Sequence, residues 1–277
     1  MSKENPPSKH PDFMANLSLR IIFGLLYVAI IIASTFFGTP YFELLMALCV
    51  FFSVKEMAQL SQNKTIQYVW AIPLLLCFSI ISFTVFGAQK LDLSKLIVIW
   101  IIQLTSLFLG YTSLKKHSKI NYVSTSIYLF LPLMALAIWF NQSQTNSFEY
   151  LLLYFITIWI YDSMAYVVGK KIGKRPVFPK VSPKKTIEGT IGGIILTVII
   201  IFIIKKYLIE IPENVVIISL VVILFGIFGD FVESYMKRKL GIKDSGNLIP
   251  GHGGILDRMD SIYLSVLPYL ILISLFR

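Results

Sequence analysis

Charged residues are scarce in this sequence: Asp, Glu, Lys and Arg together make up only 14% of its 277 residues. A typical soluble domain has about 25%. Hydrophobic residues make up 56% of the chain, and the mean hydropathy is +0.75. Apolar runs recur along the chain, and a run of about 20 residues is long enough to cross a bilayer. The composition therefore argues against a soluble protein and predicts an integral membrane protein surrounded by lipid.

Several residue types and motifs are also nearly absent. Cys49 and Cys77 are the only cysteines, and both lie in apolar runs, so buried thiols are a better interpretation than a disulfide. His252 has no partner His or Cys at zinc spacing, which argues against a zinc centre. The sequence contains no G-x-x-x-x-G-K-[ST] phosphate-binding loop. The candidate chemistry therefore lies with carboxylates, lysines and arginines.

Positive charge exceeds negative charge, and the formal net charge is +10. In a soluble protein this excess would suggest a nucleic-acid partner. In a membrane protein, Lys and Arg concentrate on the cytoplasmic side and face anionic lipid. We therefore expect the bilayer, and no nucleic acid, to be the partner of these charges.

The hydrophobic runs predict an all-α, polytopic membrane protein of about nine transmembrane helices. We expect a flexible cytoplasmic tail over 1–16, N-terminal transmembrane helices over 17–147 and a catalytic transmembrane region over 148–277. The predicted spans are 17–38, 40–60, 68–87, 93–112, 121–140, 148–169, 189–207, 214–236 and 259–275.

The distribution of Lys and Arg supports this layout. Nine spans place twenty of the 25 Lys and Arg residues on one side of the membrane and five on the other. Because these residues favour the cytoplasmic side, we expect a multi-pass protein of the cell (inner) membrane with a cytoplasmic N-terminus and the C-terminus on the opposite side. Most of the cytoplasmic charge lies in two loops, after the sixth span and before the ninth.

The first of these loops follows a span that contains an acid. Asp162 lies about two helical turns before Lys170, and a carboxylate at that depth tends to face a protein interior or a watery cavity. The alternative is an acid that snorkels or packs between helices. In the loop itself, three prolines between 176 and 183 forbid a long helix. Its polar and cationic side chains are Ser182, Lys184, Lys185 and Thr186.

Two interpretations of this loop remain open. Ser182 is a candidate helix cap, and Lys184 and Lys185 suit phosphate oxygens as point charges. Alternatively, the lysines form a basic patch that contacts anionic lipid. Downstream, Gly189 and Gly193 form a G-x-x-x-G pattern, which indicates close helix packing.

Four more acids gather around the second loop. Asp230 and Glu233 share a face at the end of the eighth span, where Lys237 alone could compensate them. Asp257 and Asp260 fall in the first turn of the ninth span, shortly after a glycine-rich turn. A helix N-terminus stabilises one such acid by about 0.3–1 kcal/mol. It does not account for the other acids at similar depth.

Converging carboxylates repel one another unless they are protonated or hold a metal. Oxygen-only ligands favour Mg²⁺, which binds through one or two carboxylates plus substrate phosphates. Acids for Mg²⁺ beside lysines and arginines, at a membrane surface, predict transfer at phosphorus, where catalysis is mainly positioning and charge neutralisation.

The sequence SYMKRKLGIKDSGNLIPGHGGILDRMD, residues 234–260, resembles the signature of the phosphatidate cytidylyltransferase (CDP-diacylglycerol synthase) family. Ser, Lys-Arg, Lys-Asp, His-Gly-Gly and Asp-Arg-x-Asp all occur at the spacing of that signature. YDSMAYVVGKKIGK and SPKKTIEG resemble the family's other polar stretches, so the similarity covers roughly 150–277. The N-terminal half matches only in being hydrophobic.

The resemblance implies a nucleotidyltransferase of phospholipid biosynthesis that converts CTP and phosphatidate into CDP-diacylglycerol and pyrophosphate with Mg²⁺. It also implies a second, monovalent cation (K⁺), a helical bundle with a polar cavity open to the cytoplasm, and a homodimer. Carried over by position, Asp230 and Asp257 are the metal-binding acids.

The remaining candidates follow from the residue types. As catalytic side chains we take Asp230, Asp257, Lys237, Arg238 and His252. Candidates for binding substrate phosphate are Ser182, Lys184, Lys185, Thr186, Lys243 and Arg258. Further candidates for the metal shell are Asp260, Asp162 and Glu233.

Two alternatives come from different classes. One is a CTP-dependent enzyme acting on another lipid, such as a polyprenol kinase, against which the signature argues. The other is a cation or phosphate transporter, which should carry polar residues through the full membrane depth. Here the acids cluster near one face.

The charge distribution gives a topology prediction. Reporters fused to the two termini should be found on opposite sides of the membrane, with the N-terminal reporter in the cytoplasm. Protease protection of each reporter in intact cells or spheroplasts would measure this. Both reporters on one side would contradict nine spans without affecting the assignment of the acids.

Overall fold

The computed structural model describes residues 10–60, 91–117, 121–142, 147–207, 213–249 and 253–276. Within these residues the chain forms eight α-helices and one two-stranded sheet. The helices are α1 His10–Phe37, α2 Tyr41–Leu60, α3 Leu93–His117, α4 Tyr122–Gln142, α5 Ser147–Ile172, α6 Ile187–Lys205, α7 Val215–Lys239 and α8 Leu256–Phe276. The strands are β1 Pro176–Phe178 and β2 Ser182–Thr186.

Six of these helices, α3 to α8, are long and apolar enough to cross a membrane. The prediction of an all-α, multi-pass membrane protein is therefore confirmed. Helix α1 contains a shorter apolar stretch, Ile21–Phe37, and α2 carries three charged residues, Glu43, Lys55 and Glu56. The predicted span 68–87 lies outside the described residues, so the count of nine stays a prediction.

Helix bounds differ from the predicted spans at several ends, and α3 continues five residues past 112 to His117. Helix α1 begins at His10, so the described part of the predicted flexible tail, 10–16, is helical. Pro11 is compatible with this start because proline is tolerated in the first turn of a helix. Helix α7 continues past 236 to Lys239, where basic residues interact favourably with the C-terminal end of the helix dipole.

Helix α8 lies at the centre of the bundle and packs against α2, α3, α4 and α7. Val266, Leu267 and Leu270 on this helix are fully buried. Its polar groups are satisfied by neighbouring helices: the Tyr154 hydroxyl lies 2.7 Å from Ser265 Oγ, and Gln103 Nε2 donates to the Tyr263 carbonyl oxygen at 2.5 Å. Such interhelical hydrogen bonds replace the water that lipid does not supply.

The G-x-x-x-G pattern of α6 lies against α5. A Cβ on Gly193 would be 2.8 Å from Ala165 Cβ, and a Cβ on Gly189 would be 2.9 Å from Gly169 Cα. Side chains of any size at these positions would force the two helices apart. The small residues therefore bring the end of α5 and the start of α6 together, which places the intervening loop over the helix ends.

That loop forms a β-hairpin. Strands β1 and β2 are antiparallel, with Pro176 paired to Thr186 and Phe178 to Ser182. Phe178 packs on Phe231 of α7, with ring centroids 4.2 Å apart. Ser182 does not cap the next helix, as the sequence suggested, because β2 continues to Thr186. The Thr186 side chain caps α6 by accepting a hydrogen bond from Gly189 N at 3.2 Å.

The α5–α6 contact gives a stability prediction. Gly193→Ala should lower the free energy of unfolding by about 1–3 kcal/mol, because the new methyl group overlaps Ala165 and the helices must separate. Thermal unfolding in detergent would report a lower apparent Tm. Gly110→Ala is the matched control, since its Cβ would lie 3.5 Å from the nearest hydroxyl oxygens. Equal losses in the two variants would contradict the packing argument.

Candidate active site

A buried charge cluster joins α7 to α8. Glu233 and Lys237 lie one turn apart on α7, and Lys237 Nζ is 2.5 Å from Glu233 Oε2. The same ammonium donates to Asp257 Oδ1 of α8 at 2.7 Å. Their exposed fractions are 3% for Glu233, 9% for Lys237 and 7% for Asp257. Charged groups this deeply buried require partners, and one lysine compensates two carboxylates here.

Asp257 also organises the loop between α7 and α8. Its Oδ2 accepts hydrogen bonds from Ser245 N at 2.9 Å and from Gly254 N at 2.8 Å. Gly253 has φ +86°, a conformation that side-chain-bearing residues rarely adopt, and a Cβ there would collide with Asp257 Oδ2. The glycine pair before α8 therefore lets the backbone approach this carboxylate closely.

A second carboxylate reaches the same loop from the N-terminal half of the chain. Glu56 of α2 is 4% exposed and accepts hydrogen bonds from Ile255 N, Leu256 N and Ser245 Oγ, each at 2.9 Å. Glu56 was not among the site residues predicted from the sequence, all of which lie in the C-terminal half. Its signal was an acid near the end of an apolar helix, where a carboxylate is costly.

A cavity of about 340 Å³ lies between α1, α5 and α8. Its polar lining includes Asp162 of α5 together with Arg258 and Asp260 of α8. Tyr27 and Trp159 contribute to the walls. Acidic and basic side chains from α5 and α8 line one cavity. The cavity thus brings together two of the predicted metal-shell acids and one predicted phosphate-binding residue.

The β-hairpin brings a lysine to another acid. Lys185 of β2 forms an ion pair with Asp230 of α7, whose side chain is 13% exposed. The hairpin therefore brings a positive group to a carboxylate of α7.

The other predicted residues have different positions. Arg238 donates to the Val181 carbonyl oxygen at 3.2 Å and to the Ile242 carbonyl oxygen at 2.9 Å, so it ties the hairpin to the loop after α7. Lys184 and Lys243 are exposed to solvent, and Ser182 is half-buried on β2. His252 lies outside the described residues. The structure therefore does not gather all the predicted phosphate-binding residues in one place.

The carboxylates differ in how well they could bind Mg²⁺. In the described part of the chain, no three His, Cys, Asp or Glu side chains converge closely enough to hold a metal ion by themselves. Asp257 already accepts hydrogen bonds from Lys237, Ser245 and Gly254. Asp162 and Asp260 face the cavity, and Mg²⁺ is usually bound by one or two carboxylates together with substrate phosphates. The cavity acids therefore fit a metal that substrate phosphates help to hold.

Comparisons with known proteins agree on one family. The cytidylyltransferase family matches residues 18–276 of the chain. The chain is 37% identical over 179 residues to the phosphatidate cytidylyltransferase of Staphylococcus haemolyticus (strain JCSC1435) and 38% identical over 179 residues to that of Staphylococcus aureus (strain COL). A protein of the same name from Staphylococcus epidermidis is 35% identical over 179 residues. Each match covers 61% of this chain and 66% of the relative's length.

The buried cluster gives a prediction about Lys237. Lys237→Ala leaves Glu233 and Asp257 buried without their cation, so the free energy of unfolding should fall by about 3–5 kcal/mol. The yield of folded protein and the apparent Tm in detergent measure this. Lys184→Ala, on the exposed hairpin, should leave both unchanged. A Lys237→Ala protein as stable as the parent would contradict a structural role and leave phosphate binding as the main role of Lys237.

Proposed function

Because the chain belongs to the cytidylyltransferase family, we propose that it transfers the cytidylyl group of CTP to phosphatidate, giving CDP-diacylglycerol and pyrophosphate. The observation that carries this proposal is the cavity between α1, α5 and α8, where Asp162, Asp260 and Arg258 meet beside the Lys185–Asp230 pair. A site of mixed charge at the ends of apolar helices suits a lipid that carries a phosphate and a nucleotide that carries three.

The proposed reaction needs no general base. A phosphate monoester has a second pKa of about 6, so at neutral pH phosphatidate is mostly a dianion. One of its phosphate oxygens attacks the α-phosphorus of CTP. The new P–O bond forms as the bond to the β-phosphate oxygen breaks, and pyrophosphate leaves with that oxygen. The barrier therefore lies in bringing two polyanions together and in stabilising the leaving group.

The cations of the chain have distinct positions in this scheme. Arg258 lines the cavity and Lys185 pairs with Asp230, so each can bind a substrate phosphate once phosphate competes with the carboxylates. Lys184 is exposed on the same strand and is placed to meet an incoming anion. Lys237 acts from a distance, because it keeps Asp257 and Glu233 compensated. Arg238 holds the hairpin that carries the lysines.

We further propose Mg²⁺ as the divalent cofactor. When bound, it would neutralise phosphate charge and stabilise the departing pyrophosphate. Asp162 and Asp260 would hold it from the cavity. Asp230, paired with Lys185, would be a further candidate ligand. Asp257, a ligand by family resemblance, is occupied here by hydrogen-bond donors, and a second cation, K⁺, remains a prediction of that resemblance.

The membrane arrangement completes the proposal. We place the protein in the cell (inner) membrane with the loops of the hairpin and of residues 240–255 in the cytoplasm, where CTP is found. The excess of Lys and Arg in these loops supports that orientation. In this orientation the cavity faces the cytoplasm and the N-terminus is cytoplasmic. The proposed homodimer can be tested by light scattering of the purified protein in detergent.

The activity can be tested directly with labelled nucleotide. Purified protein given phosphatidate, Mg²⁺ and [α-³²P]CTP should form labelled lipid and release unlabelled pyrophosphate. Label entering lipid from [γ-³²P]CTP instead would indicate a lipid kinase and overturn the proposal. Both substrates should bind before pyrophosphate leaves, so ping-pong kinetics with a trapped nucleotidyl-enzyme would also contradict it.

The cavity acid gives the matching mutational prediction. Asp260→Asn should lower kcat/KM by about 100-fold or more and should change the Mg²⁺ dependence, since it removes a charge from the reacting centre. Asp92→Asn is the control, because Asp92 lies at the exposed start of α3. Near-normal activity of Asp260→Asn, with the parent's Mg²⁺ dependence, would exclude the proposed metal role of Asp260.

A further inference from the structure

We propose that Glu56 is a positioning residue for the catalytic centre. Its carboxylate fixes the start of α8 and the loop at Ser245, and through them it sets the positions of Asp257 and Asp260. The expected effect of Glu56 on turnover rests on the proposed function. Its effect on the position of α8 rests on the observed contacts alone.

Glu56 accepts hydrogen bonds from the backbone at the start of α8. The first turn of a helix has backbone N–H groups without partners inside the helix, and a side chain close in sequence usually satisfies them. At the start of α8, Ile255 N donates to Glu56 Oε1 and Leu256 N donates to Glu56 Oε2, each at 2.9 Å. The cap therefore comes from a different helix, some 200 positions earlier in the chain.

The Glu56 carboxylate occupies a space that glycines leave open. A Cβ on Gly254 would collide with Glu56 Oε2 and with Ser245 Oγ. A Cβ on Gly246 would lie 3.0 Å from Glu56 Oε1. Both glycines therefore surround the Glu56 carboxylate closely. This gives a physical reason for glycine at 254, where the backbone is not in the left-handed region.

Glu56 and Asp257 accept hydrogen bonds from different donors of the same loop. Ser245 donates its backbone N–H to Asp257 and its hydroxyl to Glu56. Gly254 N donates to Asp257, whereas Ile255 N and Leu256 N donate to Glu56. The two carboxylates thus hold one loop from two sides. If Glu56 releases its donors, Asp257 retains only part of the framework that orients it toward Lys237.

Glu56 acts through these residues because it does not line the cavity of Asp162, Arg258 and Asp260. Asp257 follows Leu256 directly in the chain, and Asp260 lies one turn further along α8. A small shift at the start of α8 therefore moves the acid that pairs with Lys237 and the acid that faces the cavity. This connects α2 in the N-terminal half to chemistry that the C-terminal half performs.

Hydrogen exchange of the full-length protein in detergent tests the structural part without substrate. In Glu56→Gln the amide group puts an N–H₂ donor where a carboxylate oxygen accepted, so the amides of Ile255 and Leu256 should exchange about tenfold faster or more. Amides in the middle of α6 should be unchanged. Glu56→Asp keeps the charge on a shorter side chain and should give an intermediate increase in exchange. This variant can be measured in place of Glu56→Gln if the Gln protein folds poorly.

Steady-state kinetics tests the functional part. For Glu56→Gln we expect kcat per folded enzyme to fall by about tenfold or more, with KM for CTP changed by less than about threefold, because contacts that orient reacting groups are lost while substrate contacts remain. Glu56→Asp should recover part of kcat. Glu43→Gln is the control, since Glu43 is on the same helix and is also 4% exposed. It should keep the parent kcat.

The outcomes separate the two proposals. A parent protein that makes no CDP-lipid overturns the proposed function, and the exchange of Ile255 and Leu256 still decides whether Glu56 fixes the start of α8. An active parent with unchanged exchange in Glu56→Gln overturns the positioning role. The positioning role is also overturned if the parent is active and the Glu56→Gln variant exchanges faster but retains full kcat. Equal loss of kcat in Glu43→Gln would reduce the effect of Glu56 to general helix stability.

Discussion

The ammonium group of Lys237 lies between two buried carboxylates, Glu233 on its own helix and Asp257 on the next. In a bundle surrounded by lipid, uncompensated charge at this depth would be costly. Lys237 can pair with Asp257 only if α7 and α8 approach each other closely. Gly229 of α7 permits this approach, because a Cβ at this position would collide with the Asp260 carbonyl oxygen. The position of α8 relative to α7 therefore depends on this one lysine and on the glycine that lets it reach its partner.

Helix α8 also depends on the N-terminal half of the chain. It packs against α2, α3 and α4, and its first turn is capped by Glu56 rather than by a neighbouring residue. The loop before it is held by Asp257 from one side and Glu56 from the other. The N-terminal helices, which carry little of the family signature, thus provide part of the framework that orients the acids of the C-terminal half.

The hairpin and the cavity distribute positive charge around these acids. Arg238 fixes the hairpin to α7, and Lys185 of the hairpin pairs with Asp230. Carboxylates repel the polyanionic substrates that we propose, so the site depends on cations to bring the two together. The lysines of the hairpin and the arginine of α8 supply that charge, and the metal that the cavity acids fit would add to it.

The class of the protein, the bounds of most helices and the family can be predicted from the sequence alone. Runs of apolar residues specify transmembrane helices locally, and motifs such as His-Gly-Gly followed by Asp-Arg-x-Asp lie within one stretch of chain. The burial of Lys237 between two acids, the capping of α6 by Thr186 rather than Ser182, and the contact of Glu56 with the start of α8 become visible only in the folded chain. These features join residues as far apart as 200 positions. Local pattern carries no information about such pairs, because helix packing alone decides which buried carboxylate meets which donor.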